Sequence, residues 1–374
     1  MQMIRPRSWI LAMALAGSLP PSLAQAQTQT QQDNTGYGTT AGEFLLLGAG
    51  ARGTALGSAY AAVADDPSAL YYNPAGVALV ARPGVTIGTY DYVADTRYTW
   101  GGIVFPFSGG ARSIGLQLGT FGFDDQRIFT VDDPDGLATG TYSVSETFIG
   151  LTLAQNFSDR FAAGFTAKGV FDNLGQATAE AFAVDFGANF HASLGGHPIR
   201  LAFTLMNLGT NLSYSGDALN VDVPRDDEGG QTTLPQPGQL RTKGFSLPTV
   251  FRVGLAYDLM GGESNRLTVL SDFNQASNNR AGFSAGGEWA MHNLGGSPFG
   301  FALRGSYTYA PANNFDLTNP LSDTALNDEE TLQGLGLGGG VNYARNNFSL
   351  GVDYAYKYMG ILGPTNFLSF SLGW

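Results

Sequence analysis

Residues 364–374 read Pro364-Thr365-Asn366-Phe367-Leu368-Ser369-Phe370-Ser371-Leu372-Gly373-Trp374. In an extended chain Leu368, Phe370, Leu372 and Trp374 share one face, and Ser369, Ser371 and Gly373 share the other, because strand side chains alternate with period two. The pattern repeats upstream. Residues 346–358 set Phe348, Leu350, Val352, Tyr354, Tyr356 and Tyr358 against Ser349, Gly351, Asp353, Ala355 and Lys357. Residues 299–309 set Phe299, Phe301, Leu303, Tyr307 and Tyr309 against Gly300, Arg304, Ser306 and Thr308. Residues 182–190 set Phe182, Val184, Phe186 and Phe190 against Asp185, Gly187 and Asn189. A soluble β-sandwich also alternates, but its outer face meets water and carries many Lys and Glu. Here the polar face is mostly Gly, Ser and Thr, and aromatic residues gather toward strand ends. That is the lipid-out, lumen-in pattern of a transmembrane barrel with an interfacial aromatic girdle.

Composition agrees. Only 13% of the 374 residues are charged, about half the share of an ordinary soluble domain. The place of the missing charge is taken by 52 Gly, 25 Phe and 16 Tyr. At the N-terminus, Arg5 and Arg7 precede the apolar run Trp9–Leu19, and Ala24-Gln25-Ala26 offers small residues for cleavage. Residues 1–26 are therefore expected to be a signal peptide, cut before Gln27, and the Gln- and Thr-rich residues 27–34 are expected to be disordered. No later segment has ~18 consecutive apolar residues, so the mature chain enters a membrane only as a closed barrel, which pairs every backbone group in lipid. Without Arg5 and Arg7, 17 of the 19 basic residues face 31 acidic ones, a balance of −14. Such a balance excludes nucleic acid as a partner. With 0 Cys, disulfides, thiolate metal sites and thiol nucleophiles are excluded.

Strand-like segments fall near 84–93, 97–107, 111–121, 139–156, 159–171, 177–193, 198–208, 246–259, 265–275, 280–292, 298–310, 331–345, 346–358 and 364–374. The expected fold is all-β: a transmembrane antiparallel β-barrel of about 14 strands over 84–374, an even number. Tight links such as Phe107-Ser108-Gly109-Gly110, Leu194-Gly195-Gly196-His197, Met260-Gly261-Gly262-Glu263, Asn293-Leu294-Gly295-Gly296 and Ala344-Arg345-Asn346-Asn347 suit hairpin turns. They follow even-numbered segments. The long links 122–138, 209–245 and 311–330 follow odd ones, the asymmetry of short periplasmic turns and long outer loops. Phe370, Leu372 and Trp374 resemble the C-terminal aromatic signal read by outer-membrane insertion machinery.

Residues 27–83 differ in kind, combining the disordered start with an Ala- and Gly-rich part. Helix-like stretches are expected at Gly42–Leu47, Ala55–Ala64 and Asp66–Tyr72, with Asp65 and Ser68 as candidate caps. This part is too short for its own core. A barrel of about 14 strands has a lumen its own side chains cannot fill, so a small N-terminal helical plug is expected inside. Asn73-Pro74 is a chain-turning pair, since proline disfavours helix at the preceding residue. Asp65 and Asp66 are expected either to pair with a lumen cation, such as Arg252, Arg304 or Lys168, or to stay solvated in a wet lumen. Lys168, Asp185, Arg252, Glu288, Arg304, Asp353 and Lys357 predict a lumen of mixed charge, first of all structural through paired charges.

The stretch Phe44-Leu45-Leu46-Leu47-Gly48-Ala49-Gly50-Ala51-Arg52-Gly53 continues to Leu56-Gly57-Ser58-Ala59-Tyr60, then Ala64-Asp65-Asp66-Pro67-Ser68-Ala69, and ends at Tyr72-Asn73-Pro74-Ala75-Gly76. It resembles the N-terminal hatch of FadL-type outer-membrane proteins, and its fuller wording is closer to the PorV/PorQ branch of that superfamily. The resemblance marks Gly48, Gly50, Arg52, Gly57, Asp65, Asp66, Asn73, Pro74, Ala75 and Gly76 as plug residues. It implies a bacterial outer-membrane location and two readings. A PorV-type protein is a non-enzymatic component of type IX-like secretion. It holds secreted cargo proteins and delivers them to a surface sortase-like protein, here through outer loops such as 209–245, with its run Arg225-Asp226-Asp227-Glu228 and its Pro235–Pro237 segment. A FadL-type channel passes hydrophobic small molecules (fatty acids, aromatic hydrocarbons) through an apolar pocket near the plug and a gap in the wall, expected where Gly or Pro106 interrupts pairing. An apolar pocket of several hundred Å3 favours transport; a sealed polar lumen favours docking.

Other motifs lack their context. Gly48-Ala49-Gly50-Ala51-Arg52-Gly53 matches a dinucleotide fingerprint without a βαβ unit. Gly282-Phe283-Ser284-Ala285-Gly286 matches a nucleophile elbow but lies mid-strand, and His191, His197 and His292 complete no triad. Asp132-Asp133-Pro134-Asp135-Gly136 lacks the position-12 acid of a calcium loop, leaving at most a loosely held cation. The expectation is a non-enzyme with no cofactor and no metal, seated in outer-membrane lipid.

Overall fold

A computed structural model describes residues 38–223, 236–262, 264–279, 281–293, 296–309 and 334–374. The expected signal peptide, residues 27–34, the 225–230 run, the loop 311–330, and Glu263, Leu294 and Gly295 of two predicted turns lie outside the described residues.

Among the described residues sixteen strands form. They are β1 (Gly84–Asp91), β2 (Arg97–Phe107), β3 (Arg112–Arg127), β4 (Thr141–Ser158), β5 (Phe161–Leu174), β6 (Ala177–Leu194), β7 (His197–Gly209), β8 (Asn220–Val223) and β9 (Gln236–Gln239). Then come β10 (Val250–Gly261), β11 (Asn265–Ala276), β12 (Gly282–Met291), β13 (Phe299–Tyr309), β14 (Leu335–Arg345), β15 (Phe348–Tyr358) and β16 (Pro364–Gly373). All but β8 and β9 close one antiparallel barrel of 14 strands, with β1 beside β16. Each predicted segment overlaps one barrel strand.

Alternation sets the two faces. On β3, Ile114, Leu116 and Leu118 are exposed to the lipid side while Ser113 and Gln117 are 1% exposed. On β15, Phe348, Leu350, Val352 and Tyr354 face out and Ala355 is buried. In four of the five quoted tight links positive φ occurs, at Ser108, Gly109, Gly110, Gly195, Gly196, Asn293, Gly296 and Asn346, whereas Gly261 and Gly262 do not adopt it. One further tight turn, at Gly175, sits among the loops at the other end. We call the two ends the short-turn end and the long-loop end.

Three ladders depart from regularity near the long-loop end, one of them β3–β4, whose register shifts between Phe123 and Gln126. In β7 an extra residue bulges between Leu205 and Leu208, with Asn207 at φ 58. Buried Asp185 accepts the Asn207 amide at 2.7 Å and holds the bulge. The β1–β16 ladder stops at Thr89↔Leu368, although β16 stays paired with β15 as far as Pro364 and β1 with β2 as far as Asp91. The wall gap expected at Pro106 is not there: the β2–β3 ladder runs through Pro106↔Ser113 to Phe107↔Arg112. A missing N–H removes one bond but leaves its neighbours in register.

The described ends of the link 210–249 are anchored to the wall and the plug. Leu212 bridges Phe245, and Thr178 bridges Ser215. Buried Leu212 and Leu247 pack around Gly42 and Leu45 at the entry of the plug, and Thr40 pairs with Ser246. Among the described residues of this link, β8 and β9 pair with each other and not with the barrel.

Candidate functional site

Residues 44–80 are largely buried against the inward-facing side of the barrel strands, within the described segment 38–83. The segment forms short helical turns at Glu43–Leu46, Ala51–Ala55, Ala69–Tyr72 and Pro74–Leu79. The helix expected over 55–64 is instead a series of turns through 56–63, where Gly57 and Ser58 take positive φ. Buried within the lumen, these turns still need partners for their backbone groups, and the wall supplies them. Ser306 Oγ donates to Ala55 O at 2.8 Å, Thr308 Oγ1 to Gly57 O at 3.0 Å, Gln117 Nε2 to Leu70 O at 2.7 Å and Asn156 Nδ2 to Ala78 O at 2.8 Å. Ala51 N donates to Ser369 Oγ at 3.1 Å and Ala61 N to Asp272 Oδ2 at 3.2 Å.

The motif residues hold this packing from within. The amides of Gly48 and Ala49 donate to the hydroxyls of Tyr71 and Tyr72. Asn73 is fully buried; its Nδ2 donates to Ala61 O at 2.9 Å and its Oδ1 accepts from Ala75 N at 3.0 Å, opening the turn that begins at Pro74. This corner presses on two wall glycines. A Cβ at Gly164 would lie 2.3 Å from Pro74 C and O, and one at Gly187 2.3 Å from Asn73 Oδ1. Gly76 packs equally close to Ala64 O. Ser68 makes no side-chain cap; its amide donates to Asp66 Oδ1 at 2.8 Å.

The partner of Asp65 and Asp66 corrects the expectation. It is Arg52 of the plug itself, with Nη1 2.6 Å from Asp65 Oδ1 and 2.9 Å from Asp66 Oδ2. The same guanidinium meets Glu288 on β12. Glu288 also accepts from Arg304 Nε at 2.7 Å and lies 3.4 Å from Arg266, and Arg304 continues to Asp353 at 2.5 Å. Burial works to raise the Asp66 carboxyl, but the Arg52 charge and hydrogen bonds from Ser68, Tyr60 and Arg52 outweigh it and hold the group below its ordinary 3.8. Lys168 pairs with Asp185 at 2.9 Å instead, and Arg252 bonds Asn274 and reaches Tyr72 O.

Lys357 alone of the seven predicted lumen charges has no such bond. It lines two cavities over the plug at the long-loop end. One, of 330 Å3, is walled by Phe44, Leu47, Tyr90, Tyr92, Phe121 and Phe367, with Glu43 and Glu146 among its polar groups. The other, of 250 Å3, lies toward Leu45, Met206, Val250 and Asn274. The first abuts the place where the β1–β16 ladder ends: Tyr90 and Phe367 stack there with ring centroids 3.8 Å apart. Of these cavity residues the sequence marked Lys357 as a lumen charge and Phe44, Leu45 and Leu47 as part of the hatch-like stretch, and it did not mark the others. The aromatic run Tyr90-Asp91-Tyr92 was the available signal.

Among the described residues no cluster of acids and histidines has the make-up of a metal site. Asp133 turns its carboxylate on its own loop, accepting from the amides of Leu137, Ala138 and Thr139. At the C-terminus Phe370 and Trp374 are exposed, and Trp374 packs edge-on against Phe105.

No family model matches the chain, and no curated protein matches it. In structure it is similar to the CymD monoaromatic hydrocarbon channel (TM-score 0.53, 12% identity, 87% of this chain and 97% of that one covered). It is also similar to the toluene transporter TbuX of Ralstonia pickettii (TM-score 0.52, 13% identity, 88% and 98% covered). A third is the toluene transporter TodX of Pseudomonas putida (TM-score 0.50, 12% identity, 87% and 96% covered). At these identities the likeness is one of fold, and the chain shares the barrel fold of these transporters.

Proposed function

We propose that the protein is a bacterial outer-membrane channel for hydrophobic small molecules, with residues 38–83 as the plug that controls passage. The observation that carries this reading is the 330 Å3 cavity over the plug, lined mainly by aromatic and aliphatic side chains. A pocket of that size and lining takes a small apolar guest. Its place beside the unpaired top of the β1–β16 seam offers a route between cavity and membrane, at the level where β16 carries Leu368 and Asn366 on its outer face. The toluene and monoaromatic hydrocarbon transporters of the same fold support the same reading. The secretion reading, with its secreted cargo and surface sortase-like protein, rests on the wording of the plug motif alone.

The test is uptake of radiolabelled toluene by cells that express the barrel, against cells that express Leu47→Trp, which fills the cavity. Faster uptake that the substitution abolishes supports the channel. Uptake equal to that of cells without the barrel, together with co-purification of secreted proteins that share a C-terminal domain, would return the secretion reading to first place.

A further inference from the structure

The 330 Å3 cavity is aromatic, yet two of its side chains stand without partners. Among the described residues, Glu146 on β4 and Lys357 on β15 make no hydrogen bond or ion pair. They contrast with the lumen's other charges. Lys168 and Asp185 pair, Arg200 and Asp258 pair, and Arg52, Arg266 and Arg304 converge on Glu288. Glu43, the second carboxylate of the cavity, is engaged by Thr40 and Asn278. A bare hydrocarbon filling this space would strip water from Glu146 and Lys357 and give nothing back. A carboxylate guest would suit Lys357 but would face Glu43 and Glu146, with Asp172 directly opposite Glu146 in the β4–β5 ladder.

We propose that the guest of this cavity is a neutral aromatic molecule bearing a hydroxyl group, of the phenol class. The inference rests on the transport reading and names its substrate class. The ring sits among Phe44, Tyr90, Phe121 and Phe367; the hydroxyl donates to the Glu146 carboxyl or accepts from the Lys357 ammonium. A hydrogen bond to such a group favours the hydroxylated guest by about tenfold over its unsubstituted counterpart.

Three guests of one ring size, p-cresol, toluene and p-toluate, are titrated calorimetrically into the purified full-length barrel in detergent. The wild type is compared with the double variant Glu146→Leu, Lys357→Met, and heat-modifiable gel mobility checks that each barrel is closed. The expected result is p-cresol at least about tenfold tighter than toluene, with p-toluate weakest. In the double variant p-cresol and toluene should come within about twofold while toluene binds no more weakly than before. Toluene binding as tightly as p-cresol to the wild type, p-toluate binding tightest, or a p-cresol preference that survives in the double variant overturns the proposal and leaves the channel standing. A closed barrel that binds none of the three sinks the channel reading and this inference with it.

Discussion

Arg52 and Glu288, 236 residues apart, meet through two parallel hydrogen bonds, Nε to Oε2 at 2.8 Å and Nη2 to Oε1 at 2.9 Å. One partner belongs to the plug and the other to the barrel wall, and the Glu288 side chain is 3% exposed. Removing the acid of a buried pair costs up to about 3–5 kcal/mol, and less here because Arg52 keeps Asp65 and Asp66 and Arg304 keeps Asp353. Glu288→Gln should therefore loosen the plug, since Arg52, Arg266 and Arg304 would face one another without their shared acid. Amide hydrogen exchange over residues 50–66 reads this directly and should rise well above wild type. Asp91→Asn, which breaks the exposed Arg97–Asp91 bridge, should leave the same amides unchanged, because solvent screens that pair.

The Asn73-Pro74 corner gives a steric prediction. Gly164 and Gly187 are the floor on which it rests, and a methyl group at either would overlap plug backbone or the Asn73 amide. Gly164→Ala and Gly187→Ala should each cost about 1–3 kcal/mol, seen as a lower unfolding temperature in detergent. Gly261→Ala, with nothing within 4 Å of the added Cβ, should not move it. Equal effects at all three positions would show that strand glycine matters here for some reason other than the plug.

The barrel was legible because lipid imposes a rule on every strand: Leu368 and Phe370 out, Ser369 and Ser371 in. The turn end was legible because Gly195-Gly196 and Asn346 carry positive φ in their residue types. Asn73-Pro74 was legible as a corner for the same local reason. What the sequence did not reveal were pairings across the lumen. Asp65 and Asp66 could have met any of several cations, and the choice of Arg52 depends on a turn at 51–55 that brings the guanidinium back over its own segment. The partners of Gly164 and Gly187 are hidden likewise, since a glycine reads the same whether it faces a plug or empty space. The cavity was illegible because its walls come from β1, β3, β4, β15, β16 and the plug, and no local period joins them.

Asp133 makes a pH prediction. Hydrogen bonds from the Thr139 hydroxyl and the amides of Ala138, Thr139 and Leu137 lower its carboxyl to about 2 from an ordinary 3.8. The folded value lies below the unfolded one, so the contribution to loop order is complete above about 4 and is lost as pH falls through about 2. Exchange of the 137–139 amides, corrected for intrinsic rate, should stay slow down to about pH 4 and accelerate below it. In Asp133→Asn the protection should be weak and flat over the same range, because the amide has one acceptor oxygen where the carboxylate has two.

Tyr90 joins three features: its ring stacks on Phe367, its hydroxyl donates to Leu47 O at 3.2 Å, and it stands where the β1–β16 ladder has just ended. Two substitutions separate these contributions. Tyr90→Phe keeps the ring and removes one hydrogen bond, a loss of about 1 kcal/mol. Tyr90→Ala also removes the packing of a ring that is 5% exposed, a loss of about 3–5 kcal/mol in all. If the stacked pair is what closes the seam, Tyr90→Ala should also speed the entry of an apolar quencher of tryptophan fluorescence, while Tyr90→Phe should not. With the exposed Trp289 and Trp374 replaced by Phe in every sample, Trp100, fully buried on the neighbouring strand, is the reporter. Quenching that rises equally in both variants would place the closure in the Tyr90–Leu47 hydrogen bond, and quenching that rises in neither would place it elsewhere along the wall.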